Sequence, residues 1–344
     1  MIYFLSDYSS GACPEVLDAL VKTNAEHTDG YGLDPHCERA ARIIRNWIGR
    51  EDCGVYTMIG GTPCNVTVAA CLRPYEAIVA ARTGHAYFHE TGAVEATGHR
   101  VVTVEGIDGK LTPELVASVL VESQDEHTPL ARLVYISQPT ECGTIYSKAE
   151  LSALYAFCRE KGLLLYIDGA RLGCALTCRP NDVSMKELAT LCDAFYIGGT
   201  KNGALFGEAL VIFDPGLNDH FRWMIKRHNG LLAKGRLIGV QFEALLEGEE
   251  KSVYFKNAAH ANAIAEKLRA GLSTLGVSFY GSSPTNQLFP VLPRNVVTKL
   301  SREFAFYEWL PERDGLVTIR LVTGWDTDEK SADVFLASAS KLLQ

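Results

Sequence analysis

Between about residues 40 and 215, short and almost unbroken apolar runs alternate with stretches of helical spacing, and this pattern narrows the possible folds most. The runs fall at residues 77–81, 101–104, 133–136, 163–167, 194–197 and 209–213, with amphipathic stretches such as 111–121 and 148–161 between them. A strand that is apolar on both faces has no solvent side, so it belongs in a sheet covered by helices above and below. The expected fold class is therefore α/β. Several runs end in polar or glycine clusters, at Ser137-Gln138, Asp168-Gly169 and Gly198-Gly199. In open α/β sheets, ligands bind at the carboxyl ends of the strands.

Beyond Gly216 the pattern changes. Residues 218–247 read as one long helix carrying Arg222, Lys226, Arg227, Lys234 and Arg236, and residues 251–275 as a second, closed by Gly276. Strand-like runs at 287–292 and Leu316–Val322 and a helix over 328–343 follow. We therefore expect a large α/β domain over residues 1–235 and a smaller α+β domain over 236–344, with the N-terminal segment free to pack on the smaller one.

Composition limits the class of function. A chain of 344 residues that is 47% hydrophobic and 22% charged can bury its own core without disulfide or metal staples. Its 33 basic and 41 acidic residues give a net charge of −8, which argues against a nucleic-acid or anionic-membrane partner. No run approaches the ~20 apolar residues of a membrane span. The opening MIYFLSDYSSGACPEV has neither a basic leader nor a long apolar core, so no secretory signal is expected. The ten cysteines are scattered without a Cys-x-x-Cys pair, as expected of small buried hydrophobes in a reducing compartment. The expected location is cytoplasmic.

The chemistry concentrates at two predicted strand ends. One reads Leu165-Tyr166-Ile167-Asp168-Gly169-Ala170-Arg171 and the other Tyr196-Ile197-Gly198-Gly199-Thr200-Lys201, so a carboxylate and an amine leave different strands of one sheet, 33 residues apart. Alone, Asp168 could be a helix cap and Lys201 a solvated loop residue. Together, beside glycines that let a ligand approach the backbone, they suit pyridoxal phosphate (PLP). The lysine would carry the cofactor as a Schiff base, and the carboxylate would keep the pyridine nitrogen protonated. Gly60-Gly61-Thr62-Pro63 opens a helical stretch, with Thr62 expected as its cap and Pro63 as its first helical residue. Backbone amides at such a helix start make a phosphate site.

His85 opens His-Ala-Tyr-Phe-His-Glu-Thr-Gly, and its imidazole can stack on a pyridine ring or move a proton. No His-Glu-x-x-His spacing is present, and no metal is expected. Arg320 lies within an apolar strand, where a buried guanidinium needs a partner. That partner is either a substrate carboxylate or an internal acid.

The order Ser6-Asp7, Tyr31-Gly32, Gly61-Thr62, His85…Glu90, Asp168-Gly169-Ala170-Arg171, Thr200-Lys201 and Arg320-Leu321-Val322-Thr323 resembles the threonine aldolase and β-eliminating lyase family over nearly the whole chain. Residues 168–172 are the most specific stretch and Gly61-Thr62 the least. The resemblance implies a fold-type-I, aspartate-aminotransferase-like PLP enzyme with a mainly parallel seven-stranded sheet. It implies that Lys201 holds the cofactor, Asp168 pairs with its ring nitrogen, His85 stacks on the ring, and Gly61, Thr62 and Thr200 line the cofactor site. Ser6, Arg171 and Arg320 would surround the substrate carboxylate, Arg171 also lying near the ring oxygen, and Glu90 would lie towards the reacting β-carbon. Tyr31 and the basic stretch 227–236 would serve a neighbouring subunit's site in a homodimer or homotetramer. Two departures stand out: Ser137-Gln138-Pro139-Thr140-Glu141 lacks the histidine of many relatives, and Gly-Gly-Thr replaces a serine-rich run before the lysine. The implied reaction is cleavage of L-threonine or L-allo-threonine to glycine and acetaldehyde. β-Elimination, transamination of another amino acid, and a non-catalytic binding module remain the competing readings.

Overall fold

The computed structural model describes residues 1–122 and 125–343. After the two-residue strand β1 (Ile2–Tyr3) come β2 (Gly54–Met58), β3 (Glu76–Ala81), β4 (Val101–Val104), β5 (Leu130–Ser137), β6 (Leu164–Asp168), β7 (Ala194–Gly198) and β8 (Glu208–Ile212). These last seven form one sheet in the order β2-β8-β7-β6-β5-β3-β4. Neighbours from β7 to β4 run parallel, whereas β8 runs antiparallel to both β7 and β2. All six expected runs are strands of this sheet. The seventh, β2, was not expected: its residues are mostly half-buried at the sheet edge, so it shows no continuous apolar run.

Alternate residues of the central strands enter two separate cores. Ile78, Ala80, Leu133, Tyr135, Leu164, Tyr166, Ala194 and Tyr196 face one, and Val79, Ala81, Val134, Ile136, Leu165, Ile167, Phe195 and Ile197 the other. This period-two division is why the strands read as unbroken apolar runs.

The helices of this part are α1 (Pro14–Thr23), α2 (Pro35–Ile48), α3 (Gly61–Ala69), α4 (His85–Phe88), α5 (Pro113–Glu122), α6 (Lys148–Glu160), α7 (Leu172–Thr177), α8 (Met185–Leu188), α9 (Pro215–Asn218), α10 (Phe221–Arg227) and α11 (Arg236–Leu246). Helices α3, α4, α9 and α10 cover the first face, and α1, α2, α5, α6, α8 and α11 the second. The single helix expected over 218–247 is therefore broken. Asn229 adopts a left-handed conformation (φ 62°) ahead of Gly230, and the chain runs on without helix until α11. The charges keep helical spacing across this break, which hides it from a periodicity argument.

Helix α12 (Val253–Thr274) links the sheet to the C-terminal part: Tyr254 sits in the second core, while Ile264, Leu268 and Leu272 sit in a third. Ser252 caps its start, and Gly276 follows its end in the expected left-handed conformation. Strands β9 (Ser278–Phe279), β10 (Gln287–Leu288), β11 (Pro290–Pro293), helix α13 (Arg294–Leu300), strands β12 (Phe304–Ala305), β13 (Tyr307–Glu308) and β14 (Leu316–Val322), and helix α14 (Glu329–Leu343) complete the chain. The run expected at 287–292 is split into β10 and β11, which keep one antiparallel register along β14. Pro290, which has no N–H to donate, stands at the break. On its other side β14 pairs with β13, placing Tyr307 opposite Arg320. β1 pairs with β12, and Phe4 joins the third core. Among the described residues no helix is long and apolar enough to cross a membrane.

Candidate active site

Two glycine-rich loops meet at the carboxyl end of the large sheet. A Cβ on Gly169 would lie 1.8 Å from the Tyr196 carbonyl oxygen, and one on Gly198 2.3 Å from that of Ala170. Only glycine permits this backbone contact, which the Gly198 N–H seals by donating to the Gly169 carbonyl at 3.0 Å. The contact brings Asp168, at the end of β6, and Lys201, just beyond β7, into one cleft of about 690 Å³. Gly61, Thr62, His85, Arg171, Thr200 and Arg320 line the same cleft.

Asp168 is buried and held by four donors. Tyr135 Oη donates to Oδ2 at 2.6 Å, Tyr196 Oη and the Ala170 N–H to Oδ1, and Asn65 Nδ2 approaches Oδ2 at 3.3 Å. Burial favours the neutral acid, but the nearby His85 ring and these hydrogen bonds outweigh it, holding the carboxyl below its usual range. Burial and the Arg171 guanidinium push the Lys201 amine below the usual lysine value, against the opposing pull of Asp7, Asp168 and Glu208. A lysine so placed has a larger neutral, nucleophilic fraction than one in water.

Helix α3 begins two residues earlier than expected. Gly60 is its cap and makes no side-chain hydrogen bond, so Thr62 lies inside the first turn rather than capping it. The reason is that Gly60 supplies the extended cap backbone and its carbonyl accepts from Cys64 N–H. The amides of Gly61 and Thr62 precede that first bond and belong to the donors a helix start leaves for an anion. The Thr200 hydroxyl is engaged by the protein, donating to Glu208 Oε1 at 2.9 Å and accepting from Gly207 N–H at 3.0 Å.

His85 is fixed from behind. Its Nδ1 lies 2.8 Å from Glu90 Oε1, and its backbone N–H donates to Glu141 Oε1 at 2.9 Å. Glu90 itself is buried beneath His85, bound by Asn65 Nδ2 at 2.7 Å, and does not reach the cleft wall. Glu90 Oε1 therefore meets this group of residues through His85 and Asn65. Arg171 is likewise engaged, donating from Nε and Nη2 to Asp7 Oδ2 and Oδ1 at 2.6 and 3.0 Å.

Arg320 has no acidic partner among the described residues. Its guanidinium lies about 5 Å from the ring centres of Tyr307 and Trp309, and its Nε is enclosed without a hydrogen bond. The internal ion pair left open by the sequence is not formed.

Ser6 and Tyr31 lie outside this cleft. The Ser6 hydroxyl sits 2.8 Å from that of Ser9, while Tyr31 is exposed on a second hollow, with Lys226 Nζ 4.7 Å from its ring centre. Residues not anticipated as part of the site are Asp7, Tyr8, Asn65, Tyr135, Glu141, Tyr196, Glu208, Tyr307 and Trp309. Glu208 is buried and accepts from the Gly199 N–H as well as from Thr200. Burial pushes its carboxyl up to about 8, against the Thr200 hydrogen bond and Lys201.

The sequence model of the family described as Beta-eliminating lyase matches residues 3–293. A low-specificity L-threonine aldolase of Pseudomonas sp. (strain NCIMB 10558) is 33% identical over 95% of this chain and 93% of its own length. One from Escherichia coli O157:H7 is 27% identical over 89% of each. Among solved structures, a Leishmania major threonine aldolase superposes with a TM-score of 0.98 at 42% identity over 100% of both chains. An aspartate aminotransferase double mutant of Thermus thermophilus shares the fold, with a TM-score of 0.74 at 17% identity over 99% of this chain and 91% of its own.

Proposed function

This chain belongs to the β-eliminating lyase family, and on that premise we propose that it is a PLP-dependent lyase cleaving L-threonine or L-allo-threonine to glycine and acetaldehyde. The observation that carries this reading is the unpaired Arg320 guanidinium, which faces the cleft that also holds Lys201 and Asp168. An α-amino acid brings the carboxylate that this guanidinium lacks.

The residues present suit the cofactor. Lys201 is an enclosed amine of depressed basicity, Asp168 an ionised carboxylate fixed by four donors, and the start of α3 offers amides to a phosphate. When bound, PLP supplies an electron sink at the substrate's Cα. The protein does the rest. Arg320 would grip the carboxylate and so fix the orientation of the substrate about Cα. Asp168 holds a negative charge where a protonated ring nitrogen would lie. Because Glu90 occupies Nδ1 of His85, the other ring nitrogen is left to face the cleft. Arg171, bound to Asp7, adds positive charge rather than a free fork.

The division into residues 1–235 and 236–344 belongs to the same proposal, as do a cytoplasmic location and a homodimer or homotetramer in which Tyr31 and the basic stretch 227–236 face a neighbouring copy. The exposed Tyr31 and the separate hollow beside it support that last assignment. The test is direct. Purified protein supplied with PLP should release acetaldehyde from threonine or allo-threonine, and its visible absorption band should vanish in Lys201→Ala. Pyruvate and ammonia, or amino transfer to a keto acid, in place of an aldehyde would overturn the reading.

A further inference from the structure

His89 stands on the wall of the active cleft. Its ring centre lies 5.4 Å from that of His85 and 6.3 Å from that of Trp309, and Trp309 in turn lies against Arg320. A single wall therefore carries His85, His89, Trp309 and Arg320. With a substrate carboxylate on Arg320, a group projecting from Cα towards His85 would pass the His89 imidazole, which stands between the His85 ring and Trp309. No described residue hydrogen-bonds to either of its ring nitrogens.

The carboxylates near that position are engaged by the protein, and His85, whose second ring nitrogen is also free, lies against the cofactor ring in the functional reading above. Glu90 is buried, with Oε1 held by His85 and Asn65 and Oε2 enclosed. Glu141 Oε1 accepts from both the His85 N–H and the Ser137 hydroxyl, and residues 137–141 contain no imidazole. Asp7 is taken by Arg171 and Asn286.

We propose that His89 is the general base that takes the β-hydroxyl proton of the substrate, an inference that rests on the functional reading above. A ring nitrogen of His89 accepts the proton, and the O–H electron pair becomes the second bond of the aldehyde carbonyl. The Cα–Cβ bond breaks, its electron pair stays at Cα, and a proton added there gives glycine. No oxidant or reductant is needed.

The charge around the ring fits this task. Burial, His85, Arg320, Lys201 and Arg171 hold the His89 imidazole down to about 4, so at neutral pH it is a neutral acceptor. The acids lining the cleft are Glu141, Asp168, Glu208 and Glu308. A substrate carboxylate on Arg320 offsets part of the positive field and makes the ring more basic when the substrate is in place.

The test compares the PLP-loaded wild type with His89→Asn in three measurements: acetaldehyde release, affinity for glycine, and exchange of the glycine α-hydrogen in D2O. Removing a general base should slow acetaldehyde release by about 10²–10⁴-fold. Glycine binding and exchange should stay near wild type, since neither involves a β-hydroxyl, and the acidic limb of the kcat/KM profile should disappear. A variant that cleaves within about threefold of wild type overturns the inference alone, as does one that loses glycine exchange in parallel with cleavage. A wild type that releases no aldehyde overturns the functional reading, and this inference with it.

Discussion

Glu90 reaches His85 from the side away from the cleft: its Oε1 lies 2.8 Å from His85 Nδ1 and accepts at 2.7 Å from Asn65 Nδ2, which also approaches Asp168. One buried amide thus ties the residue that orients the imidazole to the carboxylate at the end of β6. Removing the acceptor and removing only its charge are then different experiments. Glu90→Ala frees the imidazole and leaves the Asn65 amide short of an acceptor, at a cost of about 1–3 kcal/mol in stability. Its kcat should fall about tenfold or more. Glu90→Gln keeps an oxygen acceptor for both partners and should retain most of the activity. Steady-state kinetics with a urea melt on each variant checks this, and equal losses in the two would remove the orienting role.

Arg320 should govern substrate capture rather than cofactor capture. Loss of a hydrogen-bonded charge pair is worth about 1.5–3 kcal/mol, so Arg320→Ala should raise KM for threonine by roughly 10–100-fold. Arg320→Lys restores the charge but not the planar fork and should fall between the two. Cofactor absorption measured alongside should be unchanged in both. Loss of that band would place Arg320 in the cofactor site instead.

Glu208 links stability to pH. Its carboxyl is raised from 4.5 to about 8 in the folded chain, so the folded state keeps a proton that the unfolded state releases. The stability from this group is complete below the unfolded value and is lost as pH rises through the folded one. The wild-type melting temperature should decline between about pH 5 and 8, and Glu208→Gln, which cannot ionise, should flatten that decline. Thermal melts across this range decide it; parallel curves for the two proteins would exclude Glu208 as the source.

Gly169 should tolerate no side chain. An alanine methyl would meet the Tyr196 carbonyl oxygen at 1.8 Å, and that oxygen is backbone held within the sheet. Gly169→Ala must part the loops that bring Asp168 and Lys201 together, at a cost of about 3 kcal/mol or more. Lost cofactor absorption with a lowered melting temperature is the expected result. Wild-type values in both would show that the loops can separate freely.

The sheet was legible because its strands are buried on both faces, and Asp168 and Lys201 were legible because each follows such a strand beside a glycine. The donors around Asp168 were not. Tyr135 and Tyr196 sit at inward positions inside runs that read simply as apolar, and Tyr166 on the same face reaches Asp168 only through Asn65; their shared face and the two-residue step from Tyr166 to Asp168 were available as a signal. Arg320 was conspicuous as a charge in an apolar strand, but its aromatic neighbours Tyr307 and Trp309 come from β13 and the residue after it, through a pairing that no local pattern announces. Strand β2 was missed because an edge strand needs less apolar surface. The break after α10 was missed because charge spacing continued across Asn229-Gly230, where the glycine itself was the available cue.

Arg320 belongs to β14 of the C-terminal sheet and Lys201 to the loop after β7 of the large one, and α12 seats its two halves in the cores of both parts. An amino acid held by its carboxylate at one end and engaged near Lys201 at the other would therefore act as a removable rivet between two separately packed bodies. Without that rivet the two parts are joined by α12 and by contacts such as Asp7 with both Arg171 and Asn286. Hydrogen exchange along α12 should accordingly slow when glycine is added to the PLP-loaded protein, and equal rates with and without glycine would show that the alignment is already rigid.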